Sequence, residues 1–313
     1  MRSAAFGCNL LSINAGAASV VQKIVFLIPH FGPWPVWINH FVESCRANPT
    51  IDWILFSDAG PPTNTARNVR HVTMAFTDYK QLVSAGLGVT FDPQRPYKLC
   101  DIRPALAHIH ADLVKSYDFV GFGDIDLIYG NLRAFFDEQT LDSYDVFSTH
   151  ADRISGHLCL MRNRPDVITV YRSARGWERA MTCIEYVAFD EQGFYRLFRP
   201  ARSDLIGQWR GSPCRVLFRE AYSTPAATHA MAWFWQAGCL TNEFYPQHPF
   251  MYLHFMSWHS ARWYGDQPFI GLGAAAPWAR LEQVVQADWR HARKKGFMIS
   301  PAGIQDIART VYS

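Results

Sequence analysis

Apolar and polar positions along the chain fall into an alternation of short strands and helices. Lys23–Pro29 (K-I-V-F-L-I-P) is a near-continuous apolar run of strand length, and Ile51–Ser57 (I-D-W-I-L-F-S) is a second. Runs without a polar face predict parallel strands covered on both sides. Between them, Trp37, Phe41, Val42 and Cys45 recur at helical spacing over Trp37–Asn48, and Pro49 ends that pattern. Arg70–Ala75 predicts a third strand. Within Ser116–Leu132 (S-Y-D-F-V-G-F-G-D-I-D-L-I-Y-G-N-L), the bulk of Tyr117, Phe119, Val120 and Phe122 predicts a buried strand that ends at a sheet edge. Asp145–Ser148 and Ser155–Arg162 read as further strands, Asn131–Asp142 and Asp166–Arg175 as helices. Tyr97–Arg103 predicts a loop or turn, with a regular helix starting at Pro104. Residues 199–225 lack periodicity, Ala232–Thr241 is heavily aromatic, and Leu281–Ser313 predicts helix.

Strand–helix–strand alternation implies an α/β fold, an open and mostly parallel sheet flanked by helices. The expected organisation is a loose extension over residues 1–22, a main domain over 23–265 and a small C-terminal helical extension over 266–313. In open parallel sheets, ligands settle outside the carboxyl ends of the strands. The loops after Pro29 (His30, Phe31), after Ser57 (Asp58) and after Gly123 all fall at such ends.

The third of these loops carries the most chemistry. Asp124 and Asp126 are two apart and straddle Ile125. In an extended segment that spacing points both carboxylates the same way. Like charges so placed resist ionising together unless a cation lies between them, and hard oxygen donors suit Mg²⁺ or Mn²⁺. The plainer alternative is a solvated turn, but the apolar residues before, within and after the pair argue against it. His254, after a strand-like apolar run in Pro249–Arg262, is either a structural histidine or a third ligand to the same ion. Lys98, Asp101 and Arg103 crowd a helix start just upstream, either as a salt-bridged helix start or facing phosphate, sugar and base. Asp190 and Glu191 form a second acidic pair, either a base for an acceptor hydroxyl or acids in a helix's first turn. His108 and His110 read as helix-surface residues without a role.

Composition narrows the classes. The chain has 313 residues, 49% apolar and 18% charged, and 11 Trp, 13 Tyr and 22 Phe. This is an ordinary globular balance with aromatic faces to spare for a sugar or base. Thirty basic against 27 acidic residues leave a net charge of +3, too small to argue for nucleic acid. Seven scattered cysteines without C-x-x-C spacing fit reduced thiols in a cytoplasm. No window approaches the run of about eighteen apolar residues that a membrane span needs. The mildly apolar Ala4–Val21 reads as a loose extension rather than a signal peptide, because Asn9, Ser12 and Asn14 interrupt it. Arg290, His291, Arg293, Lys294 and Lys295 form a basic cluster, a solvated face or a contact for anionic lipid head groups. No G-x-G-x-x-G follows the first strand and no G-x-x-x-x-G-K-[ST] exists, which disfavours dinucleotide-binding and P-loop enzymes.

The order of Y-K-L-C-D-I-R-P, G-F-G-D-I-D-L-I-Y-G-N-L, S-G-H-L, F-D-E and L-H-F-M-S-W-H resembles bacterial glycosyltransferases of the GT-A fold, the small polysaccharide-type transferases with a G-D-x-D motif, over roughly residues 23–262. The resemblance implies a UDP- or GDP-linked sugar donor held through a divalent ion on Asp124 and Asp126, with His254 as the late ligand. It places Asp190 or Glu191 near the acceptor, and Ser155, Gly156 and His157 in the loop lining donor sugar and acceptor. The remaining donor contacts would come from Pro29, His30, Phe31, Ser57, Asp58, Lys98, Asp101, Arg103 and Ile125. The implied acceptor is a glycan or a lipid-linked glycan in surface polysaccharide synthesis, inverting or retaining.

Overall fold

The computed structural model describes residues 21–198, 214–221, 230–254, 285–300 and 302–307. Its main sheet has seven strands in the order β3-β2-β1-β4-β7-β6-β8. They are β1 (Ile24–Pro29), β2 (Ile51–Ser57), β3 (Val69–Thr73), β4 (Phe119–Gly123), β6 (Val146–Ser148), β7 (Leu158–Arg162) and β8 (Val216–Phe218). All run the same way except β7, which is antiparallel to both β4 and β6. This is the α/β class expected: an open, mostly parallel sheet flanked by helices.

The apolar runs become central strands because both faces are covered. Val25 and Leu27 of β1 pack in one core with Val120, Phe122, Tyr79 and Val83. Ile24, Phe26 and Ile28 face the opposite core with Trp53, Phe41 and Tyr129. Helix α1 (Ile38–Arg46) covers the second face and α2 (Phe76–Leu87) the first. Gly121, in the middle of β4, has a packing reason: a Cβ there would lie 2.2 Å from the Phe26 ring.

Two smaller sheets complete the described chain. Strand β5 (Leu127–Tyr129) pairs antiparallel with β11 (Tyr252–His254). Strands β9 (Trp233–Gln236), β10 (Cys239–Asn242), β12 (Phe297–Ser300) and β13 (Gly303–Gln305) form the other, in the order β10-β9-β12-β13. The β9–β10 hairpin turns through Ala237 (φ 50°) and Gly238 (φ 86°), the left-handed pair that a tight two-residue hairpin requires.

Three local expectations change. The helix expected from Pro104 onward is instead a 3₁₀ stretch over Pro96–Ala105, then short turns Leu106–Ile109 and Ala111–Val114 broken at His110. His110 is buried, stacked on Phe56 and within 3.1 Å of the Tyr79 hydroxyl, so it is a core residue and not a surface one. Among its described residues, the C-terminal stretch expected to be helical has a 3₁₀ turn, Trp289–His291, and a short helix, Ala292–Lys295, before β12 and β13. Phe297 and Ile299 alternate inward there, a period of two that the preceding charges disguise in sequence. Within the aperiodic 199–225, β8 adds the sheet's edge strand, while 199–213 and 222–225 lie outside the described residues. So do the expected N-terminal extension up to residue 20 and the whole F-M-S-W-H segment after His254.

Candidate functional site

Strand β4 delivers Asp124 to the carboxyl end of the sheet, and β5 starts three residues later, at Leu127. Asp124 N–H donates to the His157 carbonyl at 3.0 Å, and the Trp37 indole donates to the Ile125 carbonyl at 3.0 Å, so the D-I-D turn is held from both sides. Pairing of β5 with β11 sets His254 opposite Leu127, the residue after Asp126. The register therefore brings a histidine from far along the chain to the acidic pair. One donor atom each from Asp124, Asp126 and His254 lies within 4.8 Å of the others. His254 Nε2 is 3.6 Å from Asp126 Oδ1 and 3.9 Å from Asp124 Oδ2.

The donor set fits a hard divalent cation. Asp126 Oδ1 is buried and meets no hydrogen-bond donor among the described residues, an arrangement whose cost a bound cation would remove. Burial, reinforced by the Asp124 charge, pushes the Asp126 carboxyl well above the usual carboxylate range. Two carboxylate oxygens and an imidazole nitrogen suit Mn²⁺ or Mg²⁺.

Arg103 connects this acidic pair to the second one. One guanidinium nitrogen pairs with Asp124 Oδ1; the other donates to Asp190 Oδ2 at 3.0 Å and to the Gly156 carbonyl at 2.9 Å. Asp190 is 1% exposed and sits with Glu191 in the first turn of the π-helical segment Phe189–Gly193, the helix-entry placement that the sequence offered as one alternative. Burial raises its pKa to about 7, against the opposing charge of Arg103. The Tyr186 hydroxyl donates to its other oxygen at 3.3 Å. Glu191 is half-buried beside it. Gly156 leaves room for both acids: a Cβ there would lie 2.8 Å from Glu191 Oε1 and 2.9 Å from Asp190 Oδ2.

The other sequence candidates divide by burial. Ser155 and His157 are buried, so of the S-G-H segment the Gly156 backbone is what borders the acids. His157 stacks on His254 at 3.9 Å between ring centroids and reaches the Tyr252 hydroxyl at 2.7 Å. Desolvation, with His254 alongside, holds its pKa well below that of a free imidazole. Lys98 and Asp101 are also buried and paired with each other at 2.8 Å, so neither faces a donor phosphate or sugar in this structure. Phe31 and Ser57 are buried too. At the sheet's carboxyl edge, His30 stacks on Trp34 at 5.1 Å, and the exposed Asp58 accepts from Gly32 N–H at 2.8 Å. Pro29 and Ile125 are half-buried. Sequence reasoning missed Trp37, Tyr186 and Tyr252, whose polar ends fix the site; nothing in their local sequence marks them.

The basic cluster near the C-terminus is partly occupied. Arg293 Nε pairs with Glu43 at 2.8 Å and Arg290 with Asp288 at 3.2 Å. No helix among the described residues is long and apolar enough to cross a membrane.

No curated protein matches the chain. Among solved structures, the galactosyltransferase LgtC with donor and acceptor sugar analogs is 10% identical, over 86% of this chain and 99% of that one, with a TM-score of 0.37. A glycosyltransferase involved in glycosylation of the PBCV-1 major capsid is 10% identical, over 74% of this chain and 93% of that one, with a TM-score of 0.39. Mouse xyloside xylosyltransferase 1 is 7% identical, over 50% of this chain and 71% of that one, with a TM-score of 0.28. Overlaps this loose transfer nothing from those proteins to this chain. The model of the family of unknown function DUF6625 matches residues 26–301, most of the chain, and the protein belongs to that family.

Proposed function

We propose that this protein is a metal-dependent glycosyltransferase that moves a sugar from a UDP- or GDP-linked donor to a hydroxyl of a glycan or lipid-linked acceptor, in the assembly of surface polysaccharide. The observation that carries this reading is the convergence of Asp124, Asp126 and His254 at the end of β4, with a buried carboxylate oxygen that meets no donor among the described residues. Those three residues would hold Mn²⁺ or Mg²⁺, which neutralises charge on a departing diphosphate.

The surrounding residues take complementary parts. Asp190 has the proton affinity of a base poised near neutral pH and would receive the acceptor hydroxyl's proton. Arg103 holds that carboxylate in place and offers positive charge beside Asp124. Glu191 and the Gly156 backbone border the acceptor side, and His30 and Asp58, with Pro29 and Ile125 nearby, line the donor side.

Isothermal titration of the protein with UDP and with GDP, each with and without Mn²⁺, tests the reading. Metal-dependent binding of one nucleotide in the wild type, lost in Asp124→Ala, is the expected result. Product analysis separates the neighbouring chemistries. Nucleoside diphosphate released with a glycosylated acceptor supports transfer, whereas free phosphate or pyrophosphate would assign a phosphohydrolase or nucleotidyltransferase instead.

A further inference from the structure

Lys98 and Asp101 form a deeply buried ion pair near the site, yet the pair touches none of the residues proposed to meet substrate. Lys98 is 2% exposed and Asp101 is fully buried. The Lys98 ammonium donates to Asp101 Oδ2 at 2.8 Å, to the Ala180 carbonyl at 2.6 Å and to the Glu185 carbonyl at 2.7 Å, with Cys183 Sγ at 3.1 Å. An ammonium has three protons, and the three oxygens use them all. Asp101 then accepts from Val187 N–H at 3.0 Å and from Phe189 N–H at 2.6 Å, one on each carboxylate oxygen.

Those two amides flank Ala188, which is held at φ 55°, a left-handed conformation that a non-glycine residue rarely adopts. Such a conformation persists only where the surroundings over-determine it. Here the surroundings are one carboxylate gripping the backbone on both sides. The Ala188 carbonyl in turn accepts from Gln192 N–H at 2.8 Å and Gly193 N–H at 3.3 Å, which closes the π-helical turn that carries Asp190 and Glu191. Burying an ion pair is a poor route to stability by itself, since desolvation offsets the attraction. Its hydrogen bonds run to a single segment, 180–189, and this one-sidedness needs another reason.

We infer that Lys98 and Asp101 are positioning residues: the buried pair clamps the 180–189 segment so that Ala188 stays left-handed and the following turn aims Asp190 at Arg103. The inference rests on the transferase reading only in naming Asp190 as the group so positioned; the clamp itself is a property of the folded chain. A carboxylate displaced by an ångström at the reacting centre costs rate rather than binding.

The test is Asp101→Asn in the full chain, which keeps the side chain's shape but leaves one oxygen where two amides need one each. Hydrogen exchange by mass spectrometry should show the 184–191 segment losing at least about ten-fold in protection, with 119–129 unchanged. Turnover should fall about 10- to 100-fold, while donor KM and calorimetric affinity for Mn²⁺ with nucleoside diphosphate stay within about two-fold. Should Asp101→Asn not fold, Lys98→Met/Asp101→Asn removes both charges together and is read by the same measurements. Unchanged exchange over 184–191 overturns the clamp, as does a loss of protection spread evenly over the core. A wild-type protein that transfers no sugar sinks the functional reading alone, since the exchange measurement still decides the clamp.

Discussion

Arg103 and Asp190 are joined by a 3.0 Å ion pair although 87 positions separate them, and the same guanidinium also grips Asp124. The fork links two acidic pairs that in sequence have nothing to do with each other. Lysine offers a point charge where arginine offers a planar fork, so Arg103→Lys can serve one carboxylate but not both. The expected outcome is a drop in kcat/KM of about ten-fold or more with Tm nearly unchanged. Steady-state kinetics beside a thermal melt checks it.

Asp126→Asn separates metal binding from folding. The native carboxylate is buried next to Asp124, so removing its charge relieves the folded, metal-free protein. Without metal, Tm should hold or rise. The Tm gain that Mn²⁺ gives the wild type should disappear, as it should for wild type treated with a chelator. A melt with and without Mn²⁺ in both proteins reads this directly.

The acceptor base predicts a pH profile. Asp190, lifted to about 7 by burial, is protonated below that pH and is then no longer basic enough to take a hydroxyl's proton. The rate should fall as pH drops through about 7, and Asp190→Asn should remove that limb together with about 10²–10⁴-fold of the activity.

Gly156→Ala puts a methyl group within 3 Å of both acids and should cut turnover strongly. Gly121→Ala drives a methyl into the Phe26 ring and should instead cost about 1–3 kcal/mol of stability, read by chemical denaturation.

Acid should weaken the fold through two buried histidines. Desolvation holds His40 and His110 at about 4 in the folded chain, against 6.5 when free. Their contribution is fully present above 6.5 and is lost as pH falls toward 4, up to about 3 kcal/mol for each. His110→Phe should flatten the dependence of Tm on pH over that window.

The order of apolar runs was enough to place β1, β2 and β4 and the loops at their carboxyl ends, because a parallel strand covered on both faces must be apolar throughout. It was also enough to mark Asp124 and Asp126, whose spacing acts within a single turn. Residue type alone could not say that His110 lies in the core or that Phe297–Ser300 is strand, since burial there comes from Phe56 and Trp235, both distant in sequence. The roles of Lys98 and Arg103 were equally closed to it. Both are cations at the start of one helical stretch, and only packing turns one inward onto Asp101 and the other toward Asp124.

What the amino-acid order determined, then, is the sheet's central strands and an acidic pair at their exit, because both follow from neighbours a few residues apart. Tertiary structure alone decided that β11 would deliver His254 to that pair and that Arg103 would tie it to Asp190. Those contacts depend on strand register and on the folding back of distant segments, which no local pattern encodes.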